Sequence, residues 1–255
     1  MADAAVEWGQ ASADLVELDF VDAVGAGQRL RLSSCAGVRF EDTRPVRRFR
    51  WSRGLGHFPG WWWTATTGLH VGYESWLERD HLRALDFDRE VVGVASQPFW
   101  LRWEGSRGRQ RRHAPDYFAR LADGTGVVID VRADDRIEDT DLEAFAVTAE
   151  ACALLGWEFR RVGEIDAVWN ANVRWLARYR HPRCTGRAEV AARLREVFAE
   201  PAPLLAGAEA VGDRIMVLPA LFHLMWHQEL VADLARQRLE LTTMVRGSGA
   251  MGGRE

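Results

Sequence analysis

Asp116, Asp130 and Arg132 are the residues of this chain whose types and spacing point most directly to chemistry. They lie in RRHAPDYFARLADGTGVVIDVR, Arg111 to Arg132, where one carboxylate follows a proline and a second stands two residues before a cation. Tyr117 to Leu121 and Gly126 to Arg132 both read as strands, and Asp123-Gly124 between them signals a hairpin, because glycine accepts positive φ without strain. Counting outward from that turn brings Asp116 to within about one residue of facing Asp130 to Arg132, and the strand period of two puts Asp130 and Arg132 on one face. Adjacent carboxylates repel unless something positive sits between them, and oxygen-rich clusters of this kind suit Mg²⁺ or Mn²⁺. The chemistry implied is metal-dependent cleavage of a phosphodiester. A solvated hairpin with a charged face is the plain alternative. Val127, Val128, Ile129 and Val131 argue against it, because a nearly continuous apolar run marks a strand covered on both faces, where charge is costly.

The elements that must position these groups are legible on either side. Tyr73 to about Asp86, YESWLERDHLRALD, has the spacing of an amphipathic helix and sets Glu74 and Glu78 four apart on one face. Val91 to Trp103 reads as a strand interrupted at Gln97-Pro98. Thr140 with Glu143 gives a capping-box signature for a helix that ends at Gly156. Trp157 to Val162 reads as a fourth strand and Asp166 to Arg180 as another helix. The order α, β, β, β, α, β describes a mixed sheet flanked by helices, an α/β (α+β) arrangement.

The flanks divide the chain further. Residues 1–67 read as a strand-rich extension, with Asp14 to Phe20, Gln28 to Ser34 and Gly37 to Thr43 as short alternating segments. Residues 68–183 form the central domain. Residues 184–246 read as a small winged-helix-like module, with helices over Ala188 to Glu200, Leu218 to Trp226 and Glu229 to Gln237 and a wing from Leu239 to Val245. Residues 247–255 read as a disordered tail.

Composition excludes several classes. At 255 residues with 47% hydrophobic content the chain buries an ordinary core. No apolar run is long enough for a membrane span and the N-terminus lacks a secretory signal, so the expected location is cytoplasmic. Three scattered cysteines, Cys35, Cys152 and Cys184, indicate neither a disulfide framework nor a CxxC metal site. The formal net charge is −4, so any contact with nucleic acid must come from local patches. Two are apparent: Arg44, Arg47, Arg48, Arg50 and Arg53, interleaved with Phe49 and Trp51, and Arg102, Arg107, Arg109, Arg111 and Arg112. All 33 basic side chains are arginine. Trp61 to Trp63 reads more readily as packing than as a base-stacking platform. His223 and His227 have the spacing of a zinc pair, but the intervening glutamate is missing and the surrounding helix is apolar, so zinc is rejected.

The ordered set SWLE (Ser75 to Glu78), SQP (Ser96 to Pro98), RRHAPDYF (Arg111 to Phe118) and VVIDVR (Val127 to Arg132), followed by the winged-helix-like segment, resembles the TnsA-like endonuclease subunits of heteromeric transposases, which carry a PD-(D/E)xK nuclease domain of the restriction-endonuclease-like fold. The similarity spans roughly Tyr73 to Val245. It implies that Glu78, Asp116 and Asp130 bind Mg²⁺ or Mn²⁺, with Glu74 as reserve for the helix carboxylate, and that Arg132 occupies the place of the lysine that assists the attacking water. Arg132 departs from the family pattern, because a guanidinium stays protonated and cannot take a proton from water, although it can neutralise a phosphate. The implied substrate is double-stranded DNA at transposon ends, and the implied partners are a DDE-type transposase and an ATPase regulator.

Three readings follow. The first is a metal-dependent endonuclease subunit of a cut-and-paste transposase. The second is a catalytically impaired adaptor of nuclease fold that binds DNA or a transposition partner. The third is a stand-alone restriction- or repair-type nuclease. In the first, His113 contacts phosphate or orients the strand end, and Gln97 braces the site.

Overall fold

The Asp123-Gly124 turn closes the central hairpin as expected, with Gly124 at φ 92° and the Leu121 amide donating to the Thr125 carbonyl. It is seen in a computed structural model that describes residues 16–47, 58–105 and 108–251. Arg48, Phe49, Arg50, Trp51, Arg53 and Arg107, with the N-terminal residues 1–15 and the last four of the chain, lie outside the described residues. The fold is mixed α/β with several sheets and, among the described residues, six α-helices. None of these helices is long and apolar enough to cross a membrane.

The described chain divides into two compact units, one running to Leu85 and from Glu90 to Glu164, the other comprising Asp86–Arg89 and the chain from Ile165 onward. The first unit contains two four-stranded sheets. One has the order β2-β1-β6-β7, from β1 (Glu17–Val21), β2 (Gly27–Arg31), β6 (Trp100–Glu104) and β7 (Gln110–His113), all antiparallel. The other has the order β10-β9-β8-β5, from β5 (Val91–Ser96), β8 (Tyr117–Leu121), β9 (Gly126–Val131) and β10 (Glu158–Val162). Its β10 runs parallel to β9, as a helical crossover allows, and that crossover is α2 (Asp139–Leu155).

The β9 run of apolar residues is covered on both faces. Phe118 and Val128 face a core that includes Leu18, Phe40, Leu101, Trp103, Val147 and Trp157, whereas Tyr117, Ala119, Val127 and Ile129 face a second cluster with Val71, Leu82 and Val94. The aromatic centre of the first core is Phe40, in edge or tilted contact with Phe20, Phe99, Phe118 and Trp157. Gly126 permits that packing, since a Cβ there would meet Phe118 and Trp157 ring atoms at 2.8 and 2.9 Å.

Several elements differ from expectation. The segment over residues 16–47 is part of the first unit rather than a separate extension, because Glu17, Leu18 and Asp19 pair with Arg102, Leu101 and Trp100. Tyr73 belongs not to the helix but to β4 (His70–Tyr73), paired with β3 (Gly60–Trp63) through Gly60, and the helix α1 runs Trp76–Phe87. The α2 capping box uses Glu138 and Asp141, two residues before the expected pair, which leaves Glu143 to accept from Trp103 Nε1 at 3.2 Å.

In the second unit, α3 (Ala167–Leu176) is capped by Asp166 and precedes α4 (Ala188–Val197), β11 (Ala202–Pro203), α5 (Leu204–Val211), α6 (Arg214–Trp226), β12 (Leu230–Val231) and β13 (Met244–Gly247). β13 lies between β11 and β12. The expected helix over Glu229 to Gln237 is absent: Gln228 takes φ 52°, which ends α6, and Asp233 then accepts from Ala235 and Arg236 amides in a turn. The third helix is instead α5, hidden in sequence because its first amides, Leu204 and Leu205, are satisfied by distant carbonyls of Thr243 and Leu241. Ser248–Met251 form a 3-10 turn where a disordered tail was expected. Phe118→Ala is expected to lower unfolding free energy by about 3–5 kcal/mol, read by urea denaturation; a loss under about 1 kcal/mol would mean that the two sheets do not share this core.

Candidate metal-binding carboxylate site

Strand register assembles the site. Ser96 lies opposite Tyr117 and Tyr117 opposite Ile129, so the next residues outward, Gln97, Asp116 and Asp130, line up at one end of the β10-β9-β8-β5 sheet. The Gln97 amide donates to the Asp116 carbonyl at 2.8 Å, and Asp116 Oδ2 accepts from the Val131 amide at 2.7 Å. Asp130 is only 3% exposed, and His113 Nε2 stands 2.9 Å from each of its oxygens. That contact requires a proton on Nε2, which fixes the imidazole as donor and the carboxylate plane with it.

Glu78 arrives from α1. Ser75 accepts from the Glu78 amide at 3.1 Å, and Glu78 Oε2 in turn accepts from the Glu74 amide at 2.6 Å, a near-reciprocal cap that the spacing Ser75-x-x-Glu78 signals. The fully buried Tyr117 ties this helix start to the sheet, its hydroxyl shared between the Glu78 carbonyl at 3.3 Å and the Gly72 carbonyl at 3.4 Å. Glu74 is not on the helix, and its carboxylate is taken by Arg47 at 2.6 Å.

Burial pushes the Asp116 carboxyl well above the ordinary carboxylate range, and the charges of Glu78 and Asp130 push it the same way; the Val131 amide and Arg47 pull it back. Burial likewise raises Glu78, opposed by its contacts with the Glu74 amide and Ser75. Three acids from three elements therefore share one electrostatic neighbourhood. Their donor chemistry fits a hard divalent cation, being oxygen-only and strongly anionic when ionised. Among the described residues no group of three or more His, Cys, Asp or Glu is arranged so that it could hold a metal ion.

The cation beside the cluster is not the expected one. Arg132 Nε and Nη2 donate to Asp141 Oδ2 at 3.0 and 2.8 Å, and the same oxygen accepts from the Glu138 amide, so Arg132 braces the start of α2. Arg47 faces the acids instead, attracting both Glu78 and Asp116. Gln97 holds it: oriented to satisfy both ends, its amide donates to the Arg47 carbonyl and accepts from Arg47 Nε, each at 3.2 Å. The Val46 amide donates to the Gln97 carbonyl at 3.0 Å, and Gln97 is 2% exposed with φ 46°, an uncommon backbone for a residue with a side chain. Sequence reasoning placed Arg47 in a basic patch and missed this role, because fifty residues separate it from Gln97; the SQP motif marked only one side of the clamp.

The remaining expectations sort simply. Of the two basic patches, Arg102 is ion-paired with Asp19, Arg111 with Glu143 at 3.5 Å, and Arg44 is hydrogen-bonded to the Ala23 carbonyl. Cys35 and Cys152 are buried free thiols pushed up to about 11 and about 12, so they are inert as nucleophiles at neutral pH. His223 is held by the Tyr179 carbonyl at 2.7 Å and Thr185 at 3.2 Å, a packing role consistent with the rejection of zinc. No protein-family model matches the chain, and a search of curated proteins returns no match.

Because Asp116 and Glu78 keep their protons above the pH at which an unfolded carboxylate releases them, the folded state binds more protons between the ordinary and the raised values. Their contribution to stability is thus greatest below the ordinary carboxylate range and falls as pH rises through that window. Asp116→Asn is expected to be more stable than the parent at neutral pH, with the difference vanishing in acid, measured by urea unfolding across pH. Parallel pH curves for the two proteins would show that Asp116 ionises without cost.

Proposed function

We propose that the chain is a metal-dependent DNA endonuclease, with Glu78, Asp116 and Asp130 as the residues that hold Mg²⁺ or Mn²⁺. The observation that carries this reading is the convergence of three acids at one sheet end, where burial raises both Asp116 and Glu78 and neighbouring carboxylates push the same way. A fold gains nothing in stability from such a cluster, whereas a bound divalent cation relieves it. When bound, the metal supplies Lewis-acid activation of the phosphoryl group and a water of lowered pKa.

The chain's own residues supply the rest. His113 orients the Asp130 carboxylate through its Nε2 proton. Arg47, clamped by Gln97, offsets negative charge at the acids and is placed to do the same for a phosphate. Arg132, engaged with Asp141, acts through the position of α2 rather than on water. The mixed β10-β9-β8-β5 sheet with its crossover α2 is compatible with a restriction-endonuclease-like domain. The order α4, β11, α5, α6, β12, β13 with β13 central in its sheet is compatible with a winged-helix module. Together with the resemblance drawn from SWLE, SQP, RRHAPDYF and VVIDVR, this favours the endonuclease subunit of a heteromeric transposase, acting on transposon ends beside a DDE-type transposase and an ATPase regulator. The three acids together favour it over the impaired adaptor, because a site without turnover has no reason to keep a repulsive cluster.

Calorimetric titration of Mn²⁺ tests the reading before any partner is needed. The parent is expected to bind and to gain thermal stability, Asp116→Ala and Asp130→Ala to lose both effects, and cleavage of transposon-end DNA to appear on addition of the cognate transposase. Binding indifferent to both substitutions would remove the metal from this site. Arg132→Gln is expected to leave Mn²⁺ affinity unchanged and to cost about 0.2–1 kcal/mol of stability, the scale of a partly exposed ion pair; a large loss of metal affinity would return Arg132 to the site. Arg47→Gln, by contrast, is expected to lower cleavage by roughly 10²-fold or more, the scale of a lost electrostatic donor.

A further inference from the structure

We infer that the segment from Arg174 to Arg187 in the second unit is a contact surface for the phosphate backbone of duplex DNA. Between Asp166 and Glu189 the chain has no acidic residue, yet carries Arg174, Arg178, Arg180, Arg183 and Arg187, in a protein whose net charge is −4. Arg180 is half-buried, donating to the Ala177 carbonyl and lying 3.9 Å from Asp86. The other four are exposed, and no carboxylate among the described residues lies within ion-pair distance of any of them.

Some exposed arginines elsewhere in the chain do hold a carboxylate. Arg29, Arg39, Arg160 and Arg193 are exposed, and each holds a carboxylate within 2.7 Å. Four unpaired cations along one short segment repel one another, which gives the fold nothing and attracts a polyanion.

The cations are also displayed from a fixed scaffold. His223 of α6 grips the segment at the Tyr179 carbonyl and at Thr185, the Trp175 and Tyr179 rings pack on Phe222, and the Arg183 amide donates to His181 Nδ1. Preorganisation of this kind reduces the ordering cost of binding. Arg178 lies over the Trp175 ring at 4.8 Å, its guanidinium face spread on an indole that is itself 40% exposed.

The chemistry favours nucleic acid over a protein partner. Apart from Trp175, the exposed residues between the arginines are small or polar, His181, Thr185 and Gly186 among them, with Pro182, so there is no apolar centre for a protein interface. Guanidinium groups match phosphate in geometry, and backbone contact needs no base reading. Reading by α6 is disfavoured, because Leu221 to Trp226 are buried and its exposed start carries Ile215 and Met216. The surface is therefore expected to bind without sequence preference.

The test is fluorescence anisotropy of a labelled duplex with the full chain, in EDTA so that the carboxylate site is silent. Binding should weaken linearly in log salt. The variant R174Q/R178Q/R183Q/R187Q should bind at least about tenfold more weakly and reduce that slope by up to about 3.6, the value for four lost phosphate contacts. The control R29Q/R39Q/R160Q/R193Q removes the same charge and should bind like the parent. An equal loss in the control, or none in the first variant at unchanged melting temperature, would overturn the inference. Competition by polyglutamate as effective as by unlabelled duplex would replace DNA with an acidic polypeptide. Failure of metal binding at the carboxylates would leave this result untouched, so the two proposals fail separately.

Discussion

Burial of carboxylates close to one another is the constraint on which the site of the first unit depends. Antiparallel register sets Asp116 against Asp130, α1 adds Glu78, and each acid is then held by a donor aimed at it: the Val131 amide, His113 Nε2 and the Glu74 amide. These donors compensate only in part, since Asp116 and Glu78 remain raised. The fold tolerates the cost because the acids sit at the edge of two apolar clusters rather than inside them, with a sheet whose two faces are packed supplying the rigidity.

Cations are allocated with equal economy in a chain that has arginine but no lysine. Arginine's fork suits fixed, multidentate contacts, and several of these side chains are spent on them. Arg132 braces the cap of α2, Arg120 joins Glu41 to the Gly124 carbonyl of the hairpin turn, and Arg47 is fixed by Gln97 and Glu74 beside the acids. The left-handed backbone at Gln97 is where this arrangement shows strain, and it falls at the junction of three segments: β5, the start of β8 and the bend at Val46. Strain so placed is sustained because neighbours on every side over-determine it.

The two units differ in how they use charge. In the first, acids and cations neutralise each other around a cluster of carboxylates. In the second, the Arg174 to Arg187 segment leaves cations unopposed and rigidly presented. The HLMWH pattern, which looks like a metal site in sequence, accounts for that rigidity: His223 spends its ring nitrogens on Tyr179 and Thr185.

Local sequence was sufficient for whatever depends on neighbours within a hairpin or a turn of helix. The Asp123-Gly124 turn, the facing of Asp116 and Asp130, the two-sided burial of β9, the Gly156 stop and the Asp166 cap all follow from φ preference, strand period and capping chemistry. Tertiary structure alone decided which cation meets the acids, because Arg47 and Arg132 are chemically identical and their partners, Gln97 and Asp141, are chosen by packing of segments distant in the chain or around a bend. It also decided that the segment from Val16 joins the central unit, since a short alternating strand pairs with whichever edge is open, and here that edge is β6. Helix α5 went unread for the same reason: its first amides are satisfied by carbonyls nearly forty residues away, and no local signal records a partner at that distance.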